Sequence, residues 1–221
     1  MSETIGLVTI GQAPRTDVTP HIKSQLPAGI DITEVGALDR FNSTTEIKDV
    51  AGPEADQPVY VTRLANGDSV TIDRATTHNL TQERIQDIEN DVDSIGLLCT
   101  GSFPDLTASV PVLKPSELLA GWTSSIVATD STVGVLMPKT EQVDQTYAKW
   151  DAYTLETASG SPYDGLDAVT DGARDLGTAP DLVVLDCIGY NEAMKSEVRS
   201  ITEAPVLLAQ SVLWKTATEL L

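Results

Sequence analysis

Four short apolar runs in this chain end in the same way. Ile5 to Ile10 stops at Gly11, Ile95 to Leu98 stops at Cys99-Thr-Gly101, Val133 to Met137 stops at Pro138-Lys139-Thr140, and Leu182 to Leu185 stops at Asp186-Cys187-Ile-Gly189. Runs of this length bounded by Gly, Pro or charge fit strands buried on both faces. Segments of about ten residues with helical spacing separate them, and that alternation predicts a mainly parallel sheet flanked by helices. In open α/β sheets ligands bind outside the carboxyl ends of the strands. The two cysteines of the chain, Cys99 and Cys187, both fall in such loops.

Further runs fill in the pattern. Strands are expected over 31–36, 110–113, 153–158 and 206–208, and helices over 18–26, 78–90, 116–127, 141–150, 166–176, 192–201 and from 209 to the end. Two β-branched runs, Val59 to Leu64 and Ser69 to Ile72, flank Asn66-Gly67, which marks a tight hairpin. The polar stretch 40–57, with Gly52-Pro53, reads as a long excursion of the kind that serves as a lid or stays disordered. Two cysteine-bearing halves suggest pseudo-symmetric lobes with a cleft between them, the first formed by 1–114 with about 206–221 returning to it, the second by 115–205.

Composition narrows the function. The chain of 221 residues has 33 acidic against 14 basic residues, for a net charge of −19. Nucleic-acid binding needs clustered Lys and Arg, which this acid-rich chain lacks, so nucleic acid and anionic membranes are unexpected partners. The acid is spread throughout, which suits a protein adapted to a salty, halophilic cytoplasm. No apolar run approaches the ~18 residues of a membrane span, and the N-terminus shows no signal-peptide core. The expectation is a cytoplasmic protein with reduced thiols. His21 and His78 have no metal-ligand spacing with the cysteines, and nucleotide-binding glycine fingerprints are missing. Neither metal nor cofactor is therefore expected.

Three motifs together carry a resemblance: Thr9-Ile-Gly-Gln-Ala-Pro-Arg15 with Asp17, Leu98-Cys-Thr-Gly101, and Leu185-Asp-Cys-Ile-Gly-Tyr190. In order and spacing they resemble the AroM family, which looks like a branch of the aspartate/glutamate/hydantoin racemase superfamily. That resemblance implies two flavodoxin-like lobes, one cysteine from each facing the substrate, and no cofactor. Amino-acid racemases of the superfamily usually follow the first cysteine with Asn-Thr or Asn-Ser, where this chain has Thr100-Gly101. They usually carry the second in Gly-Cys-Thr, where this chain has Asp186-Cys187-Ile188. The groups expected to hold an amino acid are thus absent, and the substrate stays open.

The candidate chemistry is proton transfer beside a carboxylate, with Cys99 and Cys187 as acid and base. A thiol titrates near ~8.5 and needs help from a cation or a backbone dipole to ionise at neutral pH. The bland alternative is that each cysteine is a small buried hydrophobe at a strand end. Arg15 is the candidate ligand for a substrate anion or else the partner of Asp17. Gln12 orients a substrate oxygen or caps a turn, and Gly11 permits close backbone approach. Thr100 and Gly101 offer donors beside the first thiol, as do Gly189, Tyr190 and Asn191 beside the second, with Tyr190 equally suited to packing. Lys139 and Thr140 form a weaker anion-binding pair. Asp186 next to Cys187 opposes its ionisation unless the carboxylate points away. Three functions fit: a racemase or isomerase of a small carboxylate, a small-molecule binding or regulatory protein, and a lyase or decarboxylase using one thiol. A homodimer is compatible with each.

Overall fold

The computed structural model describes residues 3–54, 57–103 and 105–221. The chain divides into two units, Met1–Lys114 with Thr216–Leu221, and Pro115–Lys215.

In the first unit, strands β1 (Glu3–Thr9), β2 (Ile30–Gly36), β5 (Ser94–Leu97) and β6 (Val112–Leu113) form a sheet in the order β2-β1-β5-β6. Every pairing in it is parallel. The interior strands carry the apolar runs, and Ile5, Leu7, Val8, Ile95 and Leu97 are fully buried. Helix α1 (Thr19–Lys23) has only five residues, with Pro at its start, because Pro20 is tolerated only in a first turn. The excursion after β2 contains helix α2 (Thr44–Ala51), capped by Ser43, whose hydroxyl accepts from the Glu46 N–H at 3.2 Å. Its residues 55–56 lie outside those described. The hairpin β3 (Val59–Arg63) and β4 (Ser69–Asp73) pairs antiparallel around Gly67, whose φ of 90° suits glycine. Helix α3 (Arg74–Ile88) starts four residues before the expected position. Asp73 caps it by accepting from the Thr76 N–H at 2.6 Å.

The second unit holds β7 (Thr132–Met137), β8 (Thr154–Ser159), β9 (Leu182–Leu185) and β10 (Val206–Leu208), in the order β10-β9-β7-β8. Here too every pairing is parallel. Helices α4 (Pro115–Ile126), α5 (Val143–Lys149), α6 (Leu166–Leu176) and α7 (Glu192–Thr202) belong to this unit, with a 3-10 turn, Thr140–Gln142, before α5. Leu136, Val169, Val183, Leu185 and Val198 form the heart of its core.

The two sheets repeat one design. Read from the edge, β2-β1-β5-β6 matches β8-β7-β9-β10, so β10 holds the place that β6 holds in the first sheet. β10 pairs with β9 over Val206–Leu208, while Thr216–Leu221, past most of helix α8 (Ala209–Thr218), groups with the first unit. Pairing with β9 satisfies backbone groups that would otherwise be left at an open sheet edge.

Candidate functional site

The first group of candidate residues lies at the carboxyl edge of the first sheet, where β1 and β5 are neighbours. Leu98 extends the pairing by donating its N–H to the Val8 carbonyl at 2.8 Å, and Cys99 follows as a half-buried thiol. The Gly101 N–H donates to Cys99 Sγ at 3.3 Å. That glycine is required by packing: a Cβ there would lie 2.4 Å from the Tyr60 ring. Tyr60 comes from β3, donates its hydroxyl to the Ser102 carbonyl at 2.6 Å, and stacks on Phe103 with ring centroids 4.8 Å apart. His78 of α3 stacks on the same Phe103 at 6.1 Å. Burial, and then the nearby Cys99 charge, push the Tyr60 phenol above its ordinary range, so it stays a neutral donor. The Cys99 loop therefore rests on an aromatic stack delivered by the hairpin.

The loop after β1 shares this edge. A Cβ on Gly11 would sit 2.2 Å from the Arg63 carbonyl oxygen, so the close approach this glycine permits is made by the hairpin. The Gln12 amide donates to the Phe41 carbonyl at 3.0 Å and accepts from the Ala65 N–H at 3.1 Å, which ties three segments together. Arg15 is only 3% exposed, and its guanidinium grips Asp17 with two bonds, Nε to Oδ1 at 2.9 Å and Nη2 to Oδ2 at 2.8 Å. Its Nη1 donates to Thr9 Oγ1 at 3.3 Å. Burial opposes ionisation of Asp17, but the hydrogen bonds and positive charge of Arg15 outweigh it and hold that carboxyl below its usual range. The arginine of this pair is buried and its carboxylate half-buried.

The second group of candidate residues lies at the carboxyl edge of the second sheet. Cys187 follows β9, and the Gly189 N–H donates to its Sγ at 3.4 Å. A Cβ on Gly189 would meet the Tyr163 ring at 2.8 Å. Tyr163 sits in the loop between β8 and α6, with its hydroxyl 3.7 Å from Cys187 Sγ. Asp186 turns toward α5. Lys149 Nζ reaches its two oxygens at 2.8 and 2.9 Å, and the Trp150 indole N–H donates at 3.0 Å. The carboxylate beside the thiol is therefore charge-matched. Tyr190 is a core residue, fully buried, donating to the Gly160 carbonyl at 2.8 Å; of the two roles weighed for it, the structure places it in packing. Burial, and then the charges of Cys187, Asp186 and Tyr163, push its phenol well up. Asn191 caps α7 by accepting from the Met194 N–H at 3.0 Å. Lys139 and Thr140, both exposed, sit at the end of β7, the neighbour of β9, and Thr140 Oγ1 is 3.0 Å from Ser159 Oγ.

Each sheet edge thus collects one set of the expected residues: Gly11, Gln12, Arg15, Cys99, Thr100 and Gly101 on the first, and Lys139, Thr140, Cys187, Gly189, Tyr190 and Asn191 on the second. Tyr60, Tyr163 and Lys149 emerge only from the structure. Both tyrosines lie between the second strand of their unit and the following sheet helix, so aligning the two halves as a repeat would have paired them.

An α/β protein built from two matched parallel sheets, each ending an interior strand in a glycine-braced thiol, is the class that this architecture defines. The chain belongs to the AroM family: residues 5–221 match the family model described as AroM protein. No curated protein sequence matches it. Among solved structures it is similar to arylmalonate decarboxylase, with a TM-score of 0.61 and 12% identity over 98% of this chain and 92% of that one. Glutamate racemase from Aquifex pyrophilus gives a TM-score of 0.57 with 14% identity over 99% and 84%. The maleate isomerase Iso from Pseudomonas putida S16 gives 0.56 with 13% identity over 98% and 92%. At these identities the likeness establishes the shared fold alone. Among the described residues no helix is long and apolar enough to cross a membrane.

Proposed function

We propose that the protein is a cofactor-independent isomerase of the racemase type, acting in the cytoplasm on a small carboxylate, with Cys99 and Cys187 as its acid/base pair. One observation supports this above the rest: the same thiol, glycine N–H and tyrosine ring recur at the end of the equivalent interior strand in both units. A cysteine that merely fills a strand end has no need of that repetition. The proposal requires the two sulfurs to address opposite faces of one substrate carbon.

In the reaction one cysteine, as thiolate, removes the proton on the carbon next to the substrate carboxylate. The electron pair left behind is delocalised into that carboxylate. The other cysteine, as thiol, returns a proton from the opposite face, so the carbon inverts and the two sulfurs exchange protonation states. A glycine N–H turned toward each sulfur favours the charged form of either. Lys139 and Thr140 are proposed to meet the substrate anion from the β7 loop, and the N–H groups of the Thr100 and Gly189 loops to meet it from the strand ends. Arg15 joins them only if its hold on Asp17 is shared with the substrate.

The test is solvent exchange. Hydroxy-, keto- and amino-carboxylates incubated with the protein in D2O are expected to gain deuterium at the carbon beside the carboxylate. Cys99→Ser and Cys187→Ser should each reduce that exchange by about a thousandfold or more. Exchange that survives loss of one particular cysteine would select a one-thiol lyase or decarboxylase in place of the paired mechanism. Thermal stabilisation by a carboxylate without exchange would make the chain a binding protein.

A further inference from the structure

We infer that Tyr163 is the positioning residue for Cys187: its hydroxyl donates to the sulfur and makes this thiol easier to ionise. The inference rests on the reading of Cys187 as an acid/base group and adds the element that poises it.

The hydroxyl of Tyr163 lies 3.7 Å from Cys187 Sγ, within hydrogen-bonding range for sulfur, while the ring is seated against Gly189. The Gly189 N–H approaches the same sulfur at 3.4 Å. Two donors on one sulfur stabilise the anion relative to the thiol. In the first unit the corresponding ring, Tyr60, packs on Gly101 in the same way but gives its hydroxyl to the Ser102 carbonyl. The two halves share the ring and differ in where its hydroxyl lies.

The charged groups around Cys187 do not cancel the effect. Asp186, next in sequence, faces away into Lys149 and Trp150 of the α5 end. Tyr190 spends its hydroxyl on Gly160, and Glu192, at the start of α7, is held by Ser211 and Lys195. Gln210, at the start of α8, donates to the Ile188 carbonyl at 2.7 Å and fixes the loop from beneath without a charge. Tyr163 is the O–H placed at the sulfur from the β8–α6 loop.

The experiment reads the thiol without turnover. In Cys99→Ser protein, the rate of iodoacetamide alkylation of Cys187 is followed against pH. Adding Tyr163→Phe is expected to move the midpoint up by about half to one unit, leaving roughly 3- to 10-fold less thiolate below it. Replacing Tyr163 by 3-fluorotyrosine, which keeps the ring and makes a stronger donor, is expected to move the midpoint down. Tyr60→Phe in Cys187→Ser protein serves as the control and should leave the Cys99 profile in place. A Cys187 midpoint indifferent to both changes at Tyr163, or lowered by Tyr163→Phe, overturns the inference. Failure to exchange deuterium into any carboxylate would sink the catalytic reading and leave this thiol measurement standing.

Discussion

The connection from β2 to α3 and the connection from β8 to α6 reach the same end by very different routes. The first passes through a helix and presents Tyr60 from the first strand of a two-stranded ribbon; the second is a short loop carrying Tyr163. Each sets an aromatic ring against the glycine two residues beyond a cysteine. What the pairing conserves is a ring on a glycine, which aims an N–H at a sulfur, and the path of the backbone that brings the ring is free to vary. The routes do differ in what they leave for the hydroxyl. Tyr60, 7% exposed and stacked on Phe103, has its O–H bound to backbone. Tyr163, half-buried on a short loop, has its hydroxyl 3.7 Å from the sulfur.

This contrast can be broken by measurement. Tyr60→Ala empties a core position and is expected to cost about 3–5 kcal/mol in denaturant unfolding, whereas Tyr163→Ala, with more ring surface in water, should cost about 1–2 kcal/mol. Equal costs would mean that the short loop is as much a part of the core as the ribbon. Next in size, Gly101→Ala forces a Cβ to 2.4 Å from a stacked ring, and Gly189→Ala to 2.8 Å from a looser one. The expected losses are about 2–3 and about 1 kcal/mol; the reverse order, read from melting curves, would refute the difference in packing. The smallest effect concerns the loop after β1. Because the Asp17 carboxyl is held below its usual range, its contribution is complete above the unfolded value of about 3.9 and is lost as pH falls through the lower folded value. Asp17→Asn should therefore lower stability by about 1 kcal/mol at neutral pH. The gap between the two proteins should close in acid, and a gap constant with pH would detach the pair from the acid limb.

Strand positions were legible because buried parallel strands write themselves as uninterrupted apolar runs: Thr132–Met137 and Leu182–Leu185 fall where the sequence puts them. The hairpin was legible at Asn66-Gly67 for a different reason, since that pair supplies the positive φ a tight turn needs. Helix α2 was missed although Ser43-Thr-Thr-Glu46 is a capping signature, because the polar composition around it argued for a loop. The start of α3 was misplaced because its first turn is held by hydroxyl and carboxylate bonds, Thr77 Oγ1 to the Asp73 carbonyl among them, and offers no apolar stripe. For the site, the thiols were visible as strand-end residues. Their partners were not, since Lys149 and Asp186 stand 37 residues apart and Tyr163 and Cys187 stand 24 apart. Spacing along the chain carries no signal for contacts made by folding. The order of strands carried one more lesson: β10 had to close the second sheet once that sheet repeated the first.

The ribbon β3–β4 is fastened at two points. Near one, the Arg63 carbonyl fills the space over Gly11; at the other, Tyr60 lies on Gly101. Gln12 adds a stitch to Ala65. One ribbon pinned to both loops works as a common clamp: the turn after β1 and the thiol loop after β5 take their positions from the same two strands.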